Sequence, residues 1–222
     1  YNSTDPARID GGGRLAVSAA DPERVYAYLI GDSKPNDVGY IGLYRSNNAG
    51  QSWTLPNAPV GGPYSATHIN LAQGTPTWNY HQGFYNCALV ANPTDADELL
   101  IGGLNLYRST DGAATFASVS GYVGGPLSLH VDNQDFRVIG NQTWVTTDGG
   151  IYGSNDFVNT QPDFYMSGVH GSDYWGFDNG WNEDVLVGGL YHNGNLAHHE
   201  NYGAGNFLEL GGGEAPTGYV NP

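Results

Sequence analysis

Three stretches of this chain align without gaps: Gly-Leu-Tyr-Arg-Ser-Asn-Asn at 42–48, Asn-Leu-Tyr-Arg-Ser-Thr-Asp at 105–111 and Gly-Ile-Tyr-Gly-Ser-Asn-Asp at 150–156. A weaker fourth copy reads Gly-Leu-Tyr-His-Asn-Gly at 189–194, so the repeat tyrosines are Tyr44, Tyr107, Tyr152 and Tyr191. Self-similarity of this kind means one supersecondary unit built several times. Upstream of the tyrosines lie short apolar stretches: 15–17 with 25–30, 88–91 with 99–101, 127–131 with 144–145, and 185–187. Asp21-Pro22 and Asn92-Pro93 break them as turn starters, through side-chain hydrogen bonds and a fixed φ. Each unit therefore reads strand, turn, strand, glycine, strand, polar turn. A unit of about 45 residues made of four short strands is a propeller blade, and blades buried on both faces have continuous apolar strands in place of alternating ones. The fold class is all-β, with helix in under about a tenth of residues. The Tyr-containing segments 42–46, 105–109 and 150–154 are predicted to be equivalent strands of successive blades.

The turn after the tyrosine strand has its own pattern. Ser46, Asn48, Ser52 and Trp53 in the first copy match Ser109, Asp111, Thr115 and Phe116 in the second. A carboxylate or amide at that spacing accepts the N–H groups of its own turn. The hydroxyls tie the two arms, and the aromatic plugs the gap between strands. Asp111 is expected to take backbone N–H donors with Phe116 buried. The third copy keeps Ser154 and Asp156 and is read as having lost the closing Thr-Trp. This pattern resembles the Asp-box, or bacterial neuraminidase repeat, of sialidases, sortilin-type receptors, xyloglucan-active hydrolases and secreted bacterial proteins. Asn48 in place of Asp and Ala113 in place of Gly depart from it. The segments 82–85, 92–93 and 102–112 look like secreted propellers of the Bacteroidota type, as do 129–135 and 148–152. The likeness spans roughly 14–194 and implies an exported or cell-surface β-propeller. It leaves activity open, because one fold hosts enzymes and binding modules alike.

About four blades are expected, at roughly 1–60, 86–125, 126–165 and 170–210, within a single region 1–222, with an insert at 56–85. Propellers of this type usually have more blades, so the region reads as part of a larger ring. The chain opens on Tyr1 without an initiator methionine, as a mature product or an excerpt would.

Composition narrows the partners. There are 22 acidic residues against 7 basic ones, a net charge of −15, and Lys34 is the only lysine. Such a surface repels phosphate backbones and anionic lipid, which argues against nucleic acid. No apolar run reaches the roughly 18–20 residues that insert through a bilayer. A single cysteine, Cys87, leaves no intrachain disulfide and no CxxC site. The 16 Tyr, 7 Phe and 5 Trp argue for a folded chain, since disordered chains are poor in aromatics.

Candidate chemistry falls outside the polar turns, whose residues are explained by turn hydrogen bonds. His130, Asp132 and Asp135 form the densest polar cluster, read as the end of a strand with His130 and Asp132 on one face. That set fits a buried network between blades, a cation site (calcium being the candidate) or an acid/base pair. No other cofactor is implied. The insert carries Tyr64, His68, Trp78, Tyr80, His81, Phe84 and Tyr85, flat rings of the kind that stack on sugars or pack over a propeller mouth. Trp78, Tyr80, His81 and Trp175 are the candidate ligand-binding residues, with Asp132 at the same mouth. His198 and His199 are adjacent, so on a strand they point to opposite faces. Arg45 and Arg108 are repeat-equivalent and read as blade-surface residues. A sialidase needs three converging arginines, and Arg8, Arg14, Arg24 and Arg137 do not supply them convincingly. The signatures of serine hydrolases, zinc proteases and P-loop enzymes are absent. Three functions follow: an extracellular module binding glycan or a protein partner; a glycoside hydrolase of the two-propeller xyloglucanase kind, using carboxylates such as Asp132 and Asp135; or a structural subunit contacting copies of itself.

Overall fold

The computed structural model describes residues 12–31, 39–57, 69–78, 81–169, 174–180, 184–190, 194–213 and 218–220. It is all-β: among the described residues the one helical element is a 3₁₀ turn, Glu200–Tyr202. The strands form four antiparallel sheets in chain order, each a simple meander. The first holds β1 (Gly13–Ser18), β2 (Asp21–Ile30) and β3 (Tyr40–Ser46). The second holds β4 (Ala88–Ala91), β5 (Leu99–Gly102), β6 (Leu106–Ser109) and β7 (Ala117–Ser120). The third holds β8 (Asn133–Ile139), β9 (Gln142–Thr147), β10 (Gly150–Ser154) and β11 (Asp163–Phe164). The fourth holds β12 (Tyr174–Asn179), β13 (Val185–Leu190), β14 (Gly194–His199) and β15 (Leu208–Gly211). These are four blades of a β-propeller. In the first, the outer strand shrinks to one bridge: Arg45 and Thr54 exchange N–H···O bonds of 2.8 Å each way.

The chain divides into two compact units, residues 1–166 and 167–222. In the first unit, initial strands adjoin one another, β1 beside β4 and β4 beside β8. The central blade shows why its strands lack alternation. Leu99 and Ile101 of β5 enter one core with Tyr26, Tyr28 and Leu43 of the first sheet, while Leu100 enters another with Phe136, Val145 and Tyr152 of the third. Burial of each such aliphatic side chain contributes about 1.5–3 kcal/mol. In the second unit, Phe177, Leu208 and Leu210 are exposed, although the four strands pair in register.

Two sequence expectations change. The apolar stretch 127–131 is not a strand, because β8 begins at Asn133. In the fourth sheet the third strand is β14, whose Asn195-Leu196-Ala197-His198-His199 stands where Asn105-Leu106-Tyr107-Arg108-Ser109 stands in the second. The Gly-Leu of the motif at 189–194 instead ends β13, and Tyr191 lies outside the described residues. Within the insert, Asn70, Leu71, Ala72 and Gln73 are all buried, while Tyr64 and His68 lie outside the described residues.

Candidate functional site

Strand alternation separates the loops of the first unit into two ends. Turns between first and second strands share one end with the serine turns after β3, β6 and β10. Ala49 N–H donates to Glu23 O (2.8 Å) there, and Gly112 N–H donates to Asp97 O (2.9 Å). The connections between sheets and the turns between second and third strands share the other end. There Asn105 Nδ2 donates to Gly74 O (2.8 Å), and Asp148 N–H donates to Asp132 O (3.2 Å).

The three serine turns have one geometry. Ser46, Ser109 and Ser154 accept from the N–H four residues on, that of Gly50 (2.9 Å), Ala113 (2.9 Å) and Val158 (2.8 Å). Asn48 accepts from Ser52 N–H (2.8 Å), Asp111 from Thr115 N–H (2.9 Å) and Asp156 from Thr160 N–H (3.0 Å). The threonine hydroxyls donate to Asp111 and Asp156 at 2.6 Å. The third turn thus keeps its closing threonine, Thr160; only the aromatic is gone, replaced by Gln161. Each turn carries two successive left-handed residues, Ala49–Gly50, Gly112–Ala113 and Phe157–Val158. Burial alone would raise the Asp111 carboxyl, but hydrogen bonds from Thr115, Ser109 and Ala114 outweigh it and hold it below the usual carboxylate range. Asp156 is lowered in the same way, against burial, by Thr160, Ser154 and Asn159. Phe116 packs against the core. Trp53 does not plug a gap: it is exposed, and its Nε1 donates to Gly50 O (3.0 Å).

The repeat arginines bridge blades and do not simply face solvent. Arg45 Nη1 donates to Gly112 O (3.0 Å) of the second blade's turn. Arg108 Nη2 donates to Phe157 O (2.7 Å) of the third's, and its Nη1 pairs with Glu98 of its own blade at 3.0 Å.

At the other end an assembly of aromatic and polar groups gathers. The Trp78 ring meets Tyr122 with centroids 4.6 Å apart. Tyr122 OH donates to Asp132 Oδ2 (3.4 Å), and the buried Asn86 donates to Asp132 Oδ1 (3.0 Å). Gln134 Nε2 donates to Asn86 (2.9 Å) and to Asp148. The Trp78 ring lies over Gly74, where a Cβ would come within 2.3 Å of it, so only glycine admits this stack. Beside the network stand exposed aromatics, Phe84 at 82% exposure and Tyr85. His81 Nδ1 accepts from Gly83 N–H (2.9 Å), and its ring lies edge-on to Phe84.

Of the predicted site residues, Trp78 and Asp132 are joined through Tyr122, and His81 shares their end through its contacts with Gly83 and Phe84. Tyr80 lies outside the described residues. Tyr122 escaped the sequence reading because it sits in a Gly-Tyr-Val-Gly-Gly connection with no repeat partner. The strand face proposed for His130 and Asp132 does not exist: both precede β8, Asp132 is left-handed at φ 65°, and His130 is exposed with Nδ1 at 3.0 Å from Val131 O. Asp135 pairs with Arg137 at 2.8 Å, so Asp132 and Asp135 serve different partners. Among the described residues no three His, Cys, Asp or Glu side chains gather to hold a metal ion. Trp175, in the second unit, is 53% exposed on β12. That unit has an apolar hollow of about 490 Å³ lined by Tyr174, Phe177, Leu186, Val187, Leu196 and Phe207.

A hollow of about 520 Å³ lies at the serine-turn end between the second and third blades, lined by Pro93, Val138, Asn141 and Phe157 among others. Several of its polar groups are already engaged, Asn92 with Thr94 and Glu98, Asp156 with Thr160, and Asn159 with Arg108 of the second blade. It is a seam between blades, with no convergent polar set.

No family model and no curated protein matches the sequence. Among solved structures the chain is similar to YCF48 bound to D1 peptide (12% identity, TM-score 0.39, 86% of this chain and 51% of that one). It is also similar to an ancestral GH74 enzyme (14%, 0.39, 90% and 26%) and to the Cps50 (Swd1) β-propeller domain of Myceliophteria thermophila (12%, 0.38, 91% and 61%). The chain spans less than two thirds of each of these structures. At these scores the likenesses carry no functional argument. No helix among the described residues is long and apolar enough to cross a membrane.

Proposed function

We propose that these blades belong to an Asp-box propeller, exported or displayed at a cell surface, that binds a glycan or protein partner through the loop end of its first unit. The observation that carries this is the Trp78–Tyr122–Asp132 assembly, backed by Asn86 and Gln134 and flanked by the exposed Phe84 and Tyr85. Flat rings beside anchored amides and a carboxylate suit recognition of sugars or of extended peptide, offering apolar faces and fixed hydrogen-bond partners together. The −15 charge favours neutral or cationic partners. The reading needs no cofactor. A hydrolase would need two carboxyls facing across a cleft about 6.5–9.5 Å wide or less, and Asp132 and Asp135 are committed to different partners.

The test is a glycan array with a parallel peptide array, screened with the full chain, Trp78→Ala and Tyr122→Ala. Loss of a common set of ligands in both variants, with binding kept in Asp111→Ala at the opposite end, is the expected result. Ligands retained by both loop variants would reduce the aromatics to packing.

A further inference from the structure

Two junctions between neighbouring blades are built on one plan, and the first blade presents half of a third. At the first-to-second junction Arg45 donates to Gly112 O, Arg24 pairs with Asp97, and Tyr26 OH donates to Ala96 O (2.6 Å). At the second-to-third junction Arg108 donates to Phe157 O and Asn159. Both carbonyl acceptors lie three residues beyond the turn serine, at left-handed residues with φ 67° and 56°. In both cases the arginine belongs to the blade that comes earlier in the chain.

The first blade has the acceptor side of this plan. Ala49 lies three residues beyond Ser46, is left-handed at φ 54° and is exposed. Its N–H donates to Glu23 O as Gly112 N–H donates to Asp97 O, so Glu23 stands where Asp97 stands, and it too is exposed. The apolar part is equally periodic. The cross-strand row Leu15–Ala27–Tyr44 corresponds to Leu89–Ile101–Tyr107 and to Phe136–Val145–Tyr152. Leu89 and Phe136 are 7% and 3% exposed, whereas Leu15 is 69% exposed. Val17 is 53% exposed, and its counterpart Ala91 4%.

We propose that this face of the first sheet takes one further blade of the same repeat, preceding β1 in the polypeptide. The arginine ending that blade's third strand reaches Ala49 O, and a second cation reaches Glu23. The third blade of a second copy does not fit: Gly153 stands in the arginine position, and the Tyr165 ring comes within 2.8 Å of where its Cβ would be. Arg45 and Arg108 are already engaged. The proposal goes beyond the binding function above and is independent of it.

The chain can be made to supply such a blade. A copy of residues 88–120 is placed ahead of the full chain, so that residues 1–12, equal in number to residues 121–132, form the connection. Leu15→Cys then reports on the face by its rate of maleimide labelling. Cys87 does not compete, being buried with its thiol pushed up to about 11. Labelling is expected to slow at least about tenfold in the extended protein. Arg→Ala at the copied Arg108, or Glu23→Lys, should restore the fast rate. Unchanged labelling, or slowing that ignores the copied arginine, overturns the proposal. The copied sequence already folds against such a neighbour in its own place, so a copy left open to hydrogen exchange overturns it too. Labelling of the unextended Leu15→Cys chain that slows as protein concentration rises assigns the face to a second copy instead.

Discussion

The second and fourth sheets have the same four-stranded meander, yet only the second is a core. Leu99, Leu100 and Ile101 of β5 are fully buried, whereas Tyr174, Trp175 and Phe177 of β12 and Leu208 and Leu210 of β15 stand exposed. The difference lies beyond the ladder. The second blade has a serine turn closed by Asp111, accepts Arg45 from the blade before and sends Arg108 to the blade after. The fourth has His198 and His199 where the second has Arg108 and Ser109, and His199 caps the following 3₁₀ turn by accepting Asn201 N–H (3.0 Å). Backbone pairing makes each sheet; in the second, covered faces and side chains that cross to its neighbours are added to it.

The comparison can be broken first at Arg108. Its side chain is 12% exposed and holds Glu98, Asn159 and the Phe157 carbonyl together. Arg108→Ala leaves the Glu98 carboxylate, 12% exposed, without its cation and with the Asn92 amide still donating to it; it is expected to destabilise the first unit by about 3 kcal/mol, with hydrogen exchange in β13 and β14 unchanged. Equal loosening of both units would show that the latch is not local to the stack. Next comes a matched pair of truncations. Leu100→Ala, in the dry core between the second and third blades, should cost about 3 kcal/mol in urea unfolding. Phe177→Ala, 61% exposed, should stay within about 0.5 kcal/mol. Comparable losses would mean that the fourth sheet is buried in solution.

Asp111→Ala should cost about 1 kcal/mol by removing the acceptor shared by Ser109, Ala114 and Thr115, while His199→Ala, which frees only Asn201 N–H, should change the melting temperature little. The smallest effect is that of pH. Asp111 and Asp156 are held below the ordinary carboxylate range in the fold. Their stabilisation is therefore complete above the unfolded value of about 3.9 and is lost as pH falls through the lower folded values. Melting curves below pH 4 should flatten in the Asp111→Asn, Asp156→Asn double variant, which keeps an acceptor without a proton to gain. A double variant with the acid sensitivity of the parent would place the effect elsewhere.

Much of this was legible from residue order. The gap-free match of 42–48, 105–111 and 150–156 reports three equivalent strands and turns, because a serine and an Asp or Asn two residues apart close the same hydrogen bonds wherever they occur. Spacing failed where packing decides. The apolar residues 127–131 read as a strand, but Leu129 is buried from a loop whose N–H bonds with the Ser120 hydroxyl, and pairing starts only at Asn133. In the fourth copy Gly189-Leu190 ends the second strand of its sheet, not the third, since a Gly-Leu-Tyr run carries no signal of which strand it belongs to. The candidate site was half readable: Trp78 and Asp132 stood out as an aromatic in a long insert and a carboxylate in a polar run, while Tyr122, which joins them, had nothing to mark it.

The sequence by itself determined most of the strands, and the turn chemistry and repeat of the first three blades, because these rest on hydrogen bonds and φ preferences spanning a few residues. Only the tertiary structure decided what the repeat arginines do. Their acceptors, Gly112 and Phe157, belong to the next blade, many residues away along the chain, and a guanidinium reads the same in sequence whether it faces water or a neighbour's carbonyl. The tertiary structure likewise decided that Trp78 meets Tyr122 and that Leu15 is exposed where Leu89 and Phe136 are buried. Burial is a property of what lies across a sheet, and identical local patterns acquire different surroundings from their place in the stack.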